Sequence, residues 1–70
     1  MTIEEFRRFW WCYGQRMKYA ENDTASYEVV TVDYKNQVIE TDDGESVELV
    51  PIGMIDVILD PDGTVAWRKE

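Results

Sequence analysis

Apolar residues near the start of the chain recur at steps of three and four, which is the spacing of one face of an α-helix. Thr2 is a favourable N-cap, and Glu5 three residues later completes a capping box. The pattern predicts an amphipathic helix over about residues 2–20. Its apolar stripe, expected to pack on the rest of the fold, consists of Ile3, Phe6, Trp10, Tyr13, Met17 and Ala20.

Trp11 lies off this stripe, near Arg7 and Lys18 on the predicted solvent face. Tryptophan is usually largely buried, so one interpretation is that the sheet or a loop covers Trp11. The other is that Trp11 anchors an interface, since tryptophan and arginine dominate binding hot spots. Tyr19 falls on the face opposite the stripe and is a second candidate anchor.

From residue 26 onwards the pattern changes to a period of two, which is typical of β-strands. Five strands are predicted, at residues 26–34, 37–41, 45–50, 54–59 and 64–68. In the third of these, Val47 and Leu49 are expected to face the core. A two-residue turn is predicted at 35–36, with Asn36 in the left-handed conformation. Aspartate and glycine at 42–44 and 60–63 mark two further turns.

The predicted fold class is α+β, with an N-terminal amphipathic helix packed on a small antiparallel sheet of four or five strands. The antiparallel pairing follows because no segment between the strands is long enough for a helical crossover. Residues 1–70 are expected to form a single domain, with the β-meander over about 26–68. This layout resembles SH3-like and Sm-like small barrels, and the resemblance carries over no RNA-binding residues.

The net charge of −8 is unevenly distributed. Residues 2–20 hold four basic and two acidic residues, whereas residues 21–67 hold twelve acidic residues and one lysine. Such a field repels nucleic acid and anionic membranes and attracts basic protein surfaces. We therefore expect a protein partner with a basic surface, and no direct binding to nucleic acid or membrane.

Few catalytic chemistries are open to this composition. Cys12 is the only cysteine and the chain has no histidine, which excludes an internal disulfide and a Cys/His zinc site. The acidic pairs at 42–43 and 60–62 lie in predicted turns and lack the ligand spacing of a calcium loop. We therefore expect a protein that is not an enzyme and uses no metal or cofactor.

The leading interpretation is a small acidic protein-binding module that acts as an inhibitor. Its sheet would dock on a basic surface of a target protein that normally holds nucleic acid, as a nucleic-acid mimic. In size and charge the chain is similar to anti-CRISPR proteins and other phage-encoded anti-defence proteins. The expected partner-binding residues are Glu28, Asp33, Glu40, Asp42, Asp43, Glu45 and Glu48, with Trp11 or Tyr19 as the anchor.

Three other interpretations stay open. The acidity would, in the simplest one, only keep a small domain soluble. In the second, the chain is a self-associating structural or adaptor barrel, in which the basic helix of one copy meets the acidic face of another. In the third, the basic aromatic helix binds acidic partners.

The cellular location is also suggested by the chain. Its acidic start lacks the features of a secretory signal, and no apolar run approaches the roughly 20 residues of a membrane span. A lone cysteine fits a reducing compartment. These features favour a cytoplasmic protein.

Overall fold

The computed structural model describes all residues from Met1 to Glu70. They form one short α-helix, one 3₁₀ helix and six strands. In chain order the elements are α1 (Ile3–Arg8), β1 (Arg16–Lys18), β2 (Tyr27–Asp33), β3 (Val38–Asp42), β4 (Val47–Pro51), the 3₁₀ helix (Ile52–Met54), β5 (Val57–Leu59) and β6 (Val65–Arg68).

All six strands belong to one antiparallel sheet with the order β4-β3-β2-β1-β5-β6. The predicted combination of an N-terminal helix and an antiparallel sheet is confirmed, but the predicted count of four or five strands is wrong. The additional strand is β1, which comes from the segment predicted as helix. Strands β4 and β6 stand at the two ends of the order, so each has a free edge.

The helix α1 begins as predicted but is much shorter. The N–H of Thr2 donates to Glu5 Oε1 at 2.9 Å, and the N–H of Glu5 donates to Thr2 Oγ1 at 3.1 Å, which is the expected capping box. The predicted extent to residue 20 is wrong, because α1 ends at Arg8 and Phe9 has an extended backbone. Gly14 has a φ of +90°, which a right-handed helix does not accommodate.

Gln15 holds the segment between α1 and β1 in a compact loop. This residue is only 2% exposed. Its Oε1 accepts the N–H of Cys12 at 2.9 Å, and its Nε2 donates to the carbonyl of Trp10 at 3.3 Å and to Asp60 Oδ1 at 3.1 Å. The side chain thus replaces partners that a longer helix would have given to the backbone of the loop.

Because this loop replaces most of the predicted helix, only part of the predicted apolar stripe is buried. Phe6 and Met17 are buried, as the stripe predicts. Trp10 and Tyr13 are 85% and 93% exposed, so the expectation that they pack on the fold is wrong. The helical periodicity that aligned them with Phe6 ends at Arg8, and the loop turns both rings to the solvent.

One apolar cluster forms the core on a single face of the sheet. We call this the inner face, and the opposite one the outer face. The cluster combines residues of α1, the sheet and the 3₁₀ helix, namely Met1, Phe6, Met17, Ile39, Val50, Ile52, Ile55 and Ile58.

The register of β4 decides which of its side chains enter the core. Val50 pairs with Ile39 and is 1% exposed. Val47 and Leu49 are 53% and 67% exposed on the outer face, so the prediction that they face the core is wrong. Apolar residues occupy both parities of this strand, and the period of two allows only one parity to point inward.

Two local predictions also need correction. In the turn between β2 and β3 the left-handed residue is Gln37, with a φ of 58°, and not Asn36. The strand predicted at 54–59 is shorter, because the 3₁₀ helix ends at Met54 and β5 begins at Val57.

The three glycines at 14, 44 and 53 allow a matched test of the loop. A Cβ at Gly14 would lie 3.0 Å from Pro61 Cγ, whereas Gly44 has a similar positive φ with open space around it, and Gly53 has neither constraint. We expect Gly44→Ala to lower the free energy of unfolding by about 1–2 kcal/mol, because alanine is strained in the left-handed backbone conformation. Gly14→Ala should lower the free energy of unfolding by about 1 kcal/mol more, because the added Cβ also crowds Pro61.

Urea unfolding of the three alanine variants measures this order. The midpoint should fall most for Gly14→Ala, less for Gly44→Ala and least for Gly53→Ala. Equal midpoints for Gly14→Ala and Gly53→Ala would show that the loop does not hold Gly14 against Pro61.

Candidate partner-binding surface

Four carboxylates share the outer face of β2 and β3. Glu28 pairs with Asp42, Thr31 pairs with Glu40, and Asp33 pairs with Val38. A register shift between Val29 and Thr31 keeps both ends of β2 in this arrangement, since the extra residue resets the parity of the strand. We call the resulting set, Glu28, Asp33, Glu40 and Asp42, the acidic face.

The acidic face is a row with a regular spacing. Asp42 and Glu40 are two residues apart on β3, and Asp33 lies at the next level of the ladder, opposite Val38. Side chains two residues apart on one strand repeat at about 6–7 Å. The row therefore presents one carboxylate level about every 6–7 Å, which is about two axial charge spacings of roughly 3.4 Å along one nucleic-acid strand.

The turn between β3 and β4 extends the row with further acids. Asp42 Oδ1 accepts the N–H of Gly44 at 2.7 Å. Asp43 Oδ1 accepts the N–H groups of Glu45 and Ser46, both at 2.9 Å. These bonds lower the pKa of Asp43, with the Ser46 amide as the largest cause. The turn thus favours the ionised form of Asp43, and Glu45 beside it is exposed.

Asp33 is held in the same way at the other end of the row. Its Oδ1 accepts the N–H of Asn36 at 3.0 Å, and its Oδ2 accepts Asn36 Nδ2 at 2.8 Å. These bonds lower the pKa of Asp33, the side-chain bond being the largest cause. Glu40 has a hydroxyl partner, because Thr31 Oγ1 donates to its Oε1 at 2.7 Å.

The acidic face is not neutralised within the molecule. Arg16 is the cross-strand neighbour of Glu28, but its guanidinium donates to Ser26 Oγ and to the Ser26 carbonyl, both at 2.7 Å. The only ion pair joins Arg68 and Glu21, away from this face. Carboxylates directly opposite each other, such as Glu28 and Asp42, destabilise a sheet. The arrangement is therefore unfavourable for folding alone.

Glu48 and Tyr19 lie elsewhere. Glu48 pairs with the buried Thr41, which places it on the inner side of the sheet, where it is exposed beyond the core. Tyr19 packs on Tyr27 with ring centroids 5.6 Å apart. Burial raises the pKa of Tyr19, and the nearby charge of Glu48 adds to this effect.

Trp11 is half-buried against the core. Its ring makes edge contacts with Phe6 at 5.8 Å and with Phe9 at 4.5 Å between centroids. Its Nε1 is buried without a hydrogen-bond partner. The sheet and the loop thus cover much of this ring, while Trp10 and Tyr13 present theirs to the solvent.

The structure brings together part of the predicted site on one surface and places two exposed apolar side chains beside it. Glu28, Asp33, Glu40 and Asp42 share a face, and Asp43 and Glu45 continue it. The exposed apolar pair Val47 and Leu49 was not predicted as part of this surface, because both residues were expected to face the core. A comparison of the two possible parities of β4 would have identified both as candidates.

The molecule has two surface depressions. One of about 510 Å³ is lined by Met1, Thr2, Glu5, Gly53, Trp67, Lys69 and Glu70. A smaller one, of about 200 Å³, is lined by residues 11–13 and 29–32. No group of three or more histidine, cysteine, aspartate or glutamate residues is placed to hold a metal ion. None of the helices has the length and apolar character needed to cross a membrane.

Comparison with known proteins gives no further guidance on the role of this surface. Neither a protein family, nor a curated protein, nor a solved structure matches the chain.

The turn carboxylate of Asp43 gives a prediction with a definite pH dependence. Because its pKa is lowered in the folded state, its contribution to stability is full above the ordinary value of 3.8. That contribution is lost as the pH falls through the lower folded value. Asp43→Ala should therefore lower the urea midpoint at pH 7, and the difference from the native chain should shrink towards pH 2.

Asp43→Asn is the matched control, because the amide oxygen still accepts a hydrogen bond while the charge is removed. Its midpoint at pH 7 should lie between those of the native chain and Asp43→Ala. A gap between native and Asp43→Ala that stays constant from pH 7 to pH 2 would contradict the prediction.

Proposed function

We propose that this protein is a non-enzymatic binding module that inhibits a target by docking on its basic, nucleic-acid-binding surface. The observation that carries the proposal is the row of carboxylates on the outer face of β2 and β3 with no ion pair inside the molecule. A basic groove built for phosphates would supply the missing counter-charges. The role is that of a nucleic-acid mimic, as in anti-defence proteins of phages.

The charge distribution supports this role in two ways, because it attracts a basic target and repels nucleic acid. Residues 21–67 carry a net charge of −11, which steers a basic partner towards the sheet and raises the association rate at low salt. The same field repels nucleic acid, so the protein and nucleic acid would compete for the target rather than bind each other.

Solubility alone explains the arrangement less well. A net charge of one sign keeps a domain soluble, but it does not require like charges to face each other across a pair of strands. Here Glu28 faces Asp42 across the strands, although like charges in that position cost stability. A surface that retains such a pair, and adds Glu40 between it and Asp33, favours a partner that removes the repulsion.

The test compares two triple variants with the same change in net charge. One neutralises the row with Glu28→Gln, Glu40→Gln and Glu45→Gln. The matched control neutralises three exposed acids elsewhere, with Glu4→Gln, Asp23→Asn and Glu70→Gln. Each protein carries a C-terminal affinity tag, because the N-terminal ammonium is tied to the Ile52 carbonyl at 2.7 Å.

Captured proteins from a cell lysate are then identified and assayed for nucleic-acid binding. The native chain and the control should capture a nucleic-acid-binding protein that excess DNA or salt releases. The row variant should associate with that protein about tenfold more slowly at low salt. Partners that resist both DNA and salt, or equal rates for the two variants, would refute the proposal.

A second candidate function is self-association as a structural or adaptor protein. It is favoured by the two free edges of the sheet, with Arg68 on β6 and acids near β4. Joined edge to edge, the sheets would complete an assembly of the SH3-like or Sm-like small-barrel type. Light scattering at low and high salt tests this alternative. A monomer at every salt concentration would exclude it.

A further inference from the structure

We propose that the free edge of β4 is the strand on which the target docks, by adding an extended segment of alternating basic and apolar residues to the sheet. This inference rests on the proposed function, because it names the element of the basic target that meets the acidic surface. It adds directional backbone hydrogen bonds to what would otherwise be contact between charges.

The backbone of β4 has unused groups on its outer edge. The N–H of Ile52 donates to the carbonyl of Gln37, on the side of β3. Along an antiparallel strand the backbone groups point alternately to the two sides, so Val50 and Glu48 also turn theirs to β3. Val47 and Leu49 therefore direct their N–H and C=O groups away from the sheet.

Pro51 agrees with this assignment and marks the end of the open edge. It has the same parity as Leu49, so its missing N–H falls on the side where no ladder bond is needed. The open run is therefore short, from Val47 to Leu49. A segment of a few residues is enough to cover it.

The side chains that this edge presents on the outer face are apolar. Val47 and Leu49 stand on the outer face at 53% and 67% exposure. Natural edge strands are usually protected by lysine, proline, an inward charge or a covering element, and β4 carries Pro51 and the inner-side Glu48 but no lysine. Here two exposed apolar side chains flank the open backbone groups, which is the combination that strand addition uses.

The acidic residues near this edge indicate that the added segment is basic. Val47 pairs with Asp42 and Leu49 pairs with Glu40, so an added strand would lie two strand spacings, or about 10 Å, from the carboxylates of the acidic face. Lysine and arginine side chains span much of that distance. On the inner side Glu48 would meet the added strand directly. A second copy would bring its own Glu48 and Glu45 to the same place, and each copy already carries −8.

The experiment uses three heptapeptides and amide hydrogen exchange of the native chain at low salt. The first peptide alternates lysine with valine. The second alternates lysine with proline, which keeps the charge but removes every second backbone donor and disfavours pairing as a strand. The third alternates glutamate with valine, which keeps the strand tendency but reverses the charge. The lysine–valine peptide alone should slow exchange at Val47 and Leu49, by about tenfold at saturation.

Exchange at Glu48 and Val50 is the internal control, because β3 already holds these amides. Leu49→Pro removes one outward donor, and Leu49→Ala removes the same side chain but keeps the N–H. Binding of the lysine–valine peptide should be weaker to Leu49→Pro than to Leu49→Ala. If Leu49→Pro does not fold, the exchange measurement on the native chain decides.

The outcomes separate this inference from the proposed function. Equal binding of both lysine peptides, without slower exchange at Val47 and Leu49, would overturn strand addition and leave charge-based docking intact. Binding of neither lysine peptide would overturn both. Protection by the glutamate peptide would overturn the assigned charge of the occupant. Protection that rises with protein concentration alone would assign the edge to a second copy.

Discussion

The pairing of β1 on both of its sides is the interaction on which the rest of the structure depends. This three-residue strand pairs with β2 through Arg16 and Met17, and with β5 along its whole length. It is the only strand that joins the meander β2–β4 to the hairpin β5–β6. Met17 at its centre is fully buried, so the same three residues also supply a central part of the core.

The position of β1 dictates how the N-terminal segment folds. The chain has to leave α1 early enough to reach the centre of the sheet, and the loop ending in Gly14 and Gln15 makes that change of direction. Gln15 then donates a hydrogen bond to Asp60, which follows β5. This bond holds the loop after α1 against the β5–β6 hairpin. The six-residue α1 survives because its capping box is local and Phe6 enters the core.

Local signals in the sequence were good predictors wherever the structure depends on neighbours in the chain. The capping box at Thr2, the strand over Tyr27–Asp33 and the turn at Asp42 are all found. The boundary of the helix was not predictable in this way. Residues 16–18 fit both a helical period and a strand. Pairing with β2 and β5, whose paired residues lie 10 to 43 positions further along the chain, selects the strand.

The candidate site was likewise predictable only where it depends on local signals in the sequence. Acidic residues that form the surface could be named from composition and turn chemistry, and most of them meet on one face. Their alignment into a row depends on the bulge near Val30, which no pattern of period two reveals. The exposed edge at Val47 and Leu49 escaped prediction for a related reason. Apolar residues occur at both parities of β4, so only pairing with Ile39 decides that Val50 points inward.

The strand order makes the two borders of the acidic face different. On one side the row is bordered by β1, whose outward residues Arg16 and Lys18 are basic and would repel a cationic partner. On the other side it is bordered by β4, which has an acid on its inner side and a free edge. A basic partner of the kind proposed above would thus be guided away from the centre of the sheet and towards β4. The strand order that places β1 at the centre would therefore also determine which edge such a partner reaches.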